Sequence, residues 1–371
     1  MAGVAALQYL PDAVNTARDK LMGRHAAGEA MLKAWVRHSG ADPLTAWVDN
    51  PALGAPFAEH VRELGGSVPT AIAHHGDQRA LIEAGALLLL DPMIPKRAWQ
   101  RRYGPQDRWS IVGITHTTAS HGVMEGMADL LTAPVQPWDA LICTSRAVQE
   151  MATRLLEIEA DYLRQRLGAD NIPMPQLAVI PLGVHSDDLS SDPGDRARWR
   201  ARLGIGAEDV VVLQLSRLSF HAKAHPAPFY IALDAAAQRS GKRPHLIMAG
   251  WFANETQQQF FEKLAAEFAG TITTHFVDGR LPDVRRSIWA ATDMFALLVD
   301  NIQETFGLAP IEARAAGLPV VVSDWDGYKD TVEHGVSGFR IPTIQPPPGG
   351  GTAPAQRHDL GIDSYDGDIA T

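Results

Sequence analysis

Short runs of β-branched and aliphatic residues alternate with stretches of helical length through the second half of the chain. No other feature constrains the fold as strongly. Strands are read at residues 210–216, 245–250, 272–277, 294–299, 320–323 and 338–341. Runs that are apolar on both faces belong in a parallel sheet covered on both sides, and right-handed crossovers then leave a doubly wound α/β layer. The first half repeats the pattern at 5–10, 44–48, 70–73, 86–90, 111–115 and 140–143, followed by a helix from Ser145 to about Leu167. A turn-rich stretch at 186–194 breaks both periods. The sequence therefore predicts two Rossmann-like domains, 1–184 and 185–371, facing a central cleft at the carboxyl ends of their strands, where ligands of such sheets bind. A Pro/Gly-rich tail is read from about 345, and no helical pattern is read after Pro342.

At 371 residues the chain is long enough for two independent cores, and 46% apolar with 20% charged residues is ordinary globular composition. With 33 basic against 43 acidic residues the net charge is −10, which argues against nucleic acid as a partner. The single cysteine, Cys143, excludes an intrachain disulfide and suits a reducing compartment. The longest aliphatic run, 84–90, stops at Asp91 and Pro92, far short of the roughly 20 residues that span a bilayer. The first ten residues lack the features of a secretory signal, so a cytoplasmic protein is expected.

The segment from Glu304 to Gly317, with Pro319 after it, reads as a loop, a helix and a strand. Pro310 suits the first turn of a helix, Gly317 the left-handed residue past its end, and Pro319 prevents continuation. Free N–H groups around Gly307 and Leu308 would sit at the positive end of the helix dipole, which makes a phosphate site, and Gly307 admits a phosphate close to the backbone. Glu304 and Glu312 bracket that loop, and carboxylates accept hydrogen bonds from sugar hydroxyls.

The whole string resembles the E-x7-E signature of retaining GT-B glycosyltransferases of family 4, the glycosyl transferases group 1. The resemblance is strong over 210–342 and only suggestive in the first half. It implies that Glu312 holds the ribose of a nucleotide-sugar donor and that Glu304 lies near the donor sugar. It also implies that the backbone of Phe306, Gly307 and Leu308, with Thr305 beside them, binds the diphosphate. Ser216-Arg217-Leu218 followed by Lys223 is similar to the family's Gly-Arg-Leu and lysine, which neutralise the diphosphate; Ser216 replaces a glycine and Lys223 comes one residue late. Asp326-Gly327 and Asp330 stand where many relatives carry Gly-Gly and then Glu. Gly23, opening a helix after the first strand, resembles the family's glycine-rich first loop, and His116 resembles a histidine that touches the donor sugar.

The resemblance implies a hexosyl transfer with retention from a UDP- or GDP-type sugar to a saccharide, lipid-linked or small-molecule acceptor, and no metal cluster or cofactor motif is read in the sequence. A nucleotide-sugar epimerase or phosphorylase of the same architecture, or a catalytically silent nucleotide-sugar binding protein, stays open as an alternative. The basic stretch 95–103, with Trp99 and Tyr103 interleaved, reads either as an exposed loop or as a place for peripheral contact with an inner membrane surface. Donor base, acceptor and oligomeric state are not legible.

Overall fold

The computed structural model describes residues 4–16, 23–189, 192–302, 304–344, 347 and 349–361. The chain divides into two compact units. Over the described residues the first comprises 4–16 and 23–183, and the second begins at Val184.

The first unit holds seven strands: β1 Ala6–Gln8, β2 Leu44–Trp47, β3 Thr70–Ala73, β4 Ala86–Leu88, β5 Ser110–Ile114, β6 Ala140–Cys143 and β7 Gln176–Val179. They form one parallel sheet in the order β3-β2-β1-β4-β5-β6-β7. The second unit holds β8 Val210–Leu215, β9 Pro244–Gly250, β10 Thr273–Asp278, β11 Met294–Leu297, β12 Val320–Ser323 and β13 Gly338–Ile341, again all parallel, in the order β10-β9-β8-β11-β12-β13. Each sheet is covered by helices on both faces, so its apolar residues divide into two clusters. In the second unit Val211, Leu213 and Phe295 face one layer, and Val212, Leu246 and Ala296 face the other. The period of two in side-chain direction, applied to a strand apolar at every position, requires that division.

Both sheets are anchored by the same device. An aspartate just before a strand reaches sideways to the amide of the neighbouring strand and to arginines. Asp139, ahead of β6, accepts from Ile111 N–H at 2.7 Å and takes both Arg101 terminal nitrogens at 2.7 and 2.6 Å, with Arg101 and Asp139 fully buried. Arg101 also donates to the Trp109 carbonyl at 3.0 Å and lies over the Trp109 ring. Asp293, ahead of β11, accepts from Val211 N–H at 2.8 Å, from Arg200 at 2.8 Å and from Arg196 at 2.7 Å.

The helix read from Ser145 runs Arg146–Leu167, with the Ser145 hydroxyl capping the Val148 amide at 3.2 Å and Gly168 in the left-handed conformation behind it. Three features differ from the sequence reading. β7 was not anticipated: Gln176–Val179 is a half-exposed edge strand whose short apolar run, 177–180, lies between prolines. The basic stretch is a helix, Ile94–Arg101, and not a loop. Its Arg97 pairs with Asp49 at 3.1 Å and its Arg101 with Asp139, leaving Lys96 and Arg102 exposed. A helix also forms after Pro342, at Thr352–Asp359, within the stretch read as a Pro/Gly-rich tail without helical pattern. Residues 345, 346, 348 and 362–371 of that tail, and Met22 of the first-loop motif, lie outside the described residues. Among the described residues no helix is long and apolar enough to cross a membrane.

The Arg101–Asp139 pair gives a stability prediction. Asp139→Ala strands a buried guanidinium and is expected to cost about 3–5 kcal/mol, whereas replacing both partners with apolar residues of similar volume recovers most of it. Urea unfolding of the two variants measures this, and a single-variant loss below about 1 kcal/mol would show the pair to be dispensable.

Candidate donor site

In the second sheet the strand order reverses between β8 and β11, whose carboxyl ends lie side by side. Such a switch point is where open α/β sheets bind ligands. The β8 loop carries Arg217 and Lys223, and the β11 loop carries Glu304 to Gly307. They meet at one ion pair, with Lys223 Nζ 2.7 Å from Glu304 Oε2. Further ties hold the loops in register. Asn301 Nδ2 donates to the His221 carbonyl, Trp325 Nε1 to the Asn301 carbonyl at 2.9 Å, and the Ser323 hydroxyl to the Val299 carbonyl at 2.6 Å. Loops from β8, β11 and β12 are thus sewn together by side chain to backbone bonds, whose partners are scattered across the sequence.

Gly307 turns the chain into the helix Leu308–Ala315. Its φ is +86°, and a Cβ there would lie 1.9 Å from Cε1 of the buried Tyr328 ring. Gly327 provides the reciprocal fit, since a Cβ at that position would meet the Thr305 carbonyl oxygen and Phe306 Cα at 2.4 Å. The two loops pack backbone against ring and backbone against backbone, and only glycine satisfies both positions. Pro310 lies in the first turn of this helix and Gly317, at φ +81°, lies just past its end. The amides of Leu308 and Ala309 have no carbonyl partner within the helix, so they present donors at its positive end.

The electrostatics are asymmetric. Burial works to raise the Glu304 pKa, but the Lys223 charge and hydrogen bonds from Lys223, the Tyr328 hydroxyl at 3.3 Å and the Phe306 amide outweigh it, so Glu304 stays ionised below the usual carboxylate range. The Phe306 amide is therefore turned to Glu304, and among the expected phosphate donors the Gly307 and Leu308 amides are those not committed to it. Phe306 and Thr305 side chains are buried and hold the loop in place. Burial pushes the Glu312 carboxyl up to about 7, with Arg285 opposing. Among the described residues no hydrogen-bond donor reaches the Glu312 side chain. Arg217 donates to the Ala222 carbonyl at 3.3 Å and so closes its own loop. Gly250 lets that loop start, since a Cβ there would lie 2.0 Å from the Ser216 carbonyl oxygen.

His116 and Gly23 belong to the first unit. His116 follows β5; burial first, then the Arg24 charge, pushes its pKa down to about 4 against a hydrogen bond to the Leu90 carbonyl, so the ring is neutral at pH 7. Gly23 opens the helix Gly23–His38, where a Cβ would meet nothing within 4 Å. In this helix the glycine that the packing requires is Gly28, five residues later, where a Cβ would be 2.4 Å from the Ala13 carbonyl oxygen. Sequence reasoning singled out the loop of Asp326 and Asp330 but missed Gly28 and Tyr328; the Asp-Gly-Tyr run was the available signal for Tyr328. Among the described residues no group of three His, Cys, Asp or Glu side chains is placed to hold a metal ion.

His116 supplies a pH prediction. Its folded pKa lies below the unfolded value of about 6.5, so the unfolded chain binds the extra proton between the two values. The contribution is complete above pH 6.5 and falls away as the pH drops to about 4. Wild type is expected to lose roughly 2–3 kcal/mol more than His116→Gln over that window. Equal pH dependence in chemical unfolding would contradict a buried neutral imidazole.

Residues 195–346 match the family model described as glycosyl transferases group 1. Among curated proteins, the D-inositol 3-phosphate glycosyltransferase of Geodermatophilus obscurus is 29% identical over 244 residues, 64% of this chain and 52% of that protein. The protein of that name from Nocardia farcinica is 26% identical over 238 residues, 64% of this chain and 51% of that protein. The chain thus spans about half the length of the curated relatives it matches. Among solved structures, Anabaena Alr3699/HepE in complex with UDP superposes with a TM-score of 0.59 at 18% identity, covering 100% of this chain and 93% of that one. Sucrose-phosphate synthase from Thermosynechococcus elongatus gives 0.53 at 17%, covering 100% and 92%. With its two parallel Rossmann-like sheets, the chain has the two-domain α/β GT-B fold, and its second unit carries the match to the glycosyl transferases group 1.

Proposed function

We propose that the protein is a retaining glycosyltransferase that moves a hexose from a nucleoside diphosphate sugar to an acceptor hydroxyl. The observation that carries this reading is the Lys223–Glu304 pair seated at the β8/β11 switch point, directly ahead of the glycine-opened helix Leu308–Ala315. The family match over residues 195–346 supports it.

In this reading the Gly307 and Leu308 amides receive the diphosphate at the helix N-terminus, and Lys223 divides its charge between Glu304 and a phosphate oxygen. Arg217, with Lys223 on the β8 loop, adds positive charge. Glu312 accepts hydrogen bonds from the ribose diol, which favours its ionised form, and Glu304 faces the sugar. His116, held neutral, and Gly23 are ligand-binding groups of the first unit in this reading. The bond from the anomeric carbon to the diphosphate oxygen breaks as the acceptor oxygen bonds to that carbon from the same face. The acceptor proton passes to the departing diphosphate. Fixed N–H groups and cations aimed at the developing charge serve such a step without reorganising. A sugar or polyol hydroxyl is the acceptor class favoured by the names of the curated relatives, and a UDP donor is favoured by the complex with Anabaena Alr3699/HepE.

Thermal-shift titration with UDP, GDP and ADP tests the donor site. One nucleotide is expected to raise the Tm of wild type, and Glu312→Ala is expected to weaken that nucleotide by about tenfold or more through loss of a charged hydrogen-bond partner. No response to any nucleotide by folded wild type would overturn the assignment. Release of nucleoside diphosphate only in the presence of acceptor separates transfer from epimerisation.

A further inference from the structure

Asp326 stands at a backbone position that suits glycine. It is the one non-glycine residue with positive φ among the described residues, at +40°. Its neighbour Gly327 packs on Thr305 and Phe306, and the next residue, Tyr328, packs on Gly307 and donates to Glu304. The Asp326 carboxyl is therefore held over the same loop, close enough to Glu304 for the two charges to repel. A left-handed aspartate costs stability at a position where glycine would cost nothing in sterics, and such residues persist where a function selects them.

The carboxyl is incompletely satisfied. It accepts from the Gly327 amide and feels the Lys329 charge, but among the described residues it forms no ion pair. A carboxylate has about four lone-pair sites, so acceptor capacity is left over. Glu304 has already taken Lys223 and the Tyr328 hydroxyl on one oxygen. A phosphate facing both carboxyls would be repelled, whereas neutral hydroxyl groups donate to both. Phosphate then belongs at the Gly307 and Leu308 amides, and a polyol on the Asp326 side of the loop.

We propose that Asp326 is a specificity residue of the donor site, accepting hydrogen bonds from hydroxyl groups of the donor's sugar ring. This rests on the donor reading above and deepens it. Burial and Glu304 push the Asp326 pKa up to about 7, and donation by hydroxyls favours the ionised form, so sugar recognition strengthens as pH rises through that value. Of the groups facing Asp326, Glu304 is kept ionised, Lys329 opposes the rise with its charge, and burial with the Glu304 charge keeps the Tyr328 phenol protonated. Glu312, also near 7, acts on the nucleotide and so affects conjugate and bare nucleotide alike.

The test compares dissociation constants for UDP with UDP-glucose, and for GDP with GDP-mannose, in wild type, Asp326→Asn and Asp326→Gly. Both variants are expected to bind the bare nucleotide as wild type does and to lose about tenfold or more for the conjugate, the scale of a hydrogen bond to a charged group. The loss of conjugate affinity from wild type to either variant is expected to grow with pH between about 6 and 8, while the bare nucleotide, whose own terminal phosphate titrates in that range, is expected to show one pH profile in all three proteins. Asp326→Gly is expected to hold or raise the Tm, which separates lost recognition from lost folding. An unchanged ratio of the two constants in both variants, or equal loss for bare nucleotide and conjugate, overturns the inference and leaves the donor site standing. Failure of wild type to bind any bare nucleotide overturns both.

Discussion

The contact between Gly307 and the Tyr328 ring sets the rest of the site. A chain that must turn at φ +86° with an aromatic ring against its α-carbon has one residue type available, and the turn fixes where Glu304 can go on one side and where the helix begins on the other. Tyr328 in turn is placed by Gly327, which lies on the backbone of Thr305 and Phe306. The hydroxyl of that ring then reaches Glu304. A packing constraint between two loops thereby becomes an electrostatic one, and the carboxylate is held by a lysine from a third segment more than eighty residues away in sequence, the Lys223–Glu304 separation being 81.

That arrangement separates three acids that composition alone would treat as equal. Glu304 is kept charged by Lys223, while Asp326 and Glu312 are pushed toward neutrality by burial, with no ion pair of their own among the described residues. A site whose carboxyls differ in this way has one charge already compensated and two whose ionisation a ligand would favour. Hydroxyl-rich ligands do that, and the uncommitted amides at the start of the helix take the anionic part of the same molecule.

Much of the architecture was legible in the sequence because a parallel sheet writes itself as apolar runs. β3, β6, β12 and β13 fall on the residues expected, and the helix from Ser145 carries its own cap and stop. The helix after Glu304 was legible for the same reason, through Pro310 and Gly317. β7 escaped because its short apolar run, 177–180, lies between prolines, and Thr352–Asp359 escaped because three prolines and three glycines just before it masked about two helical turns. The Asp139 and Asp293 anchors, the Lys223–Glu304 pair and the Gly307–Tyr328 fit are long-range contacts. No local period encodes which distant residue fills the space above a glycine, and so these came only with the structure.

The central claim is that the amides opening the helix Leu308–Ala315 receive the diphosphate of a sugar nucleotide. Backbone 15N–1H resonances of Gly307 and Leu308 followed during titration with a nucleoside diphosphate test it most directly. The account predicts large shifts at those two amides, saturating with the nucleotide, and little change at the Phe306 amide, which Glu304 already engages. Shifts confined to other loops, with Gly307 and Leu308 unmoved at saturation, would contradict it.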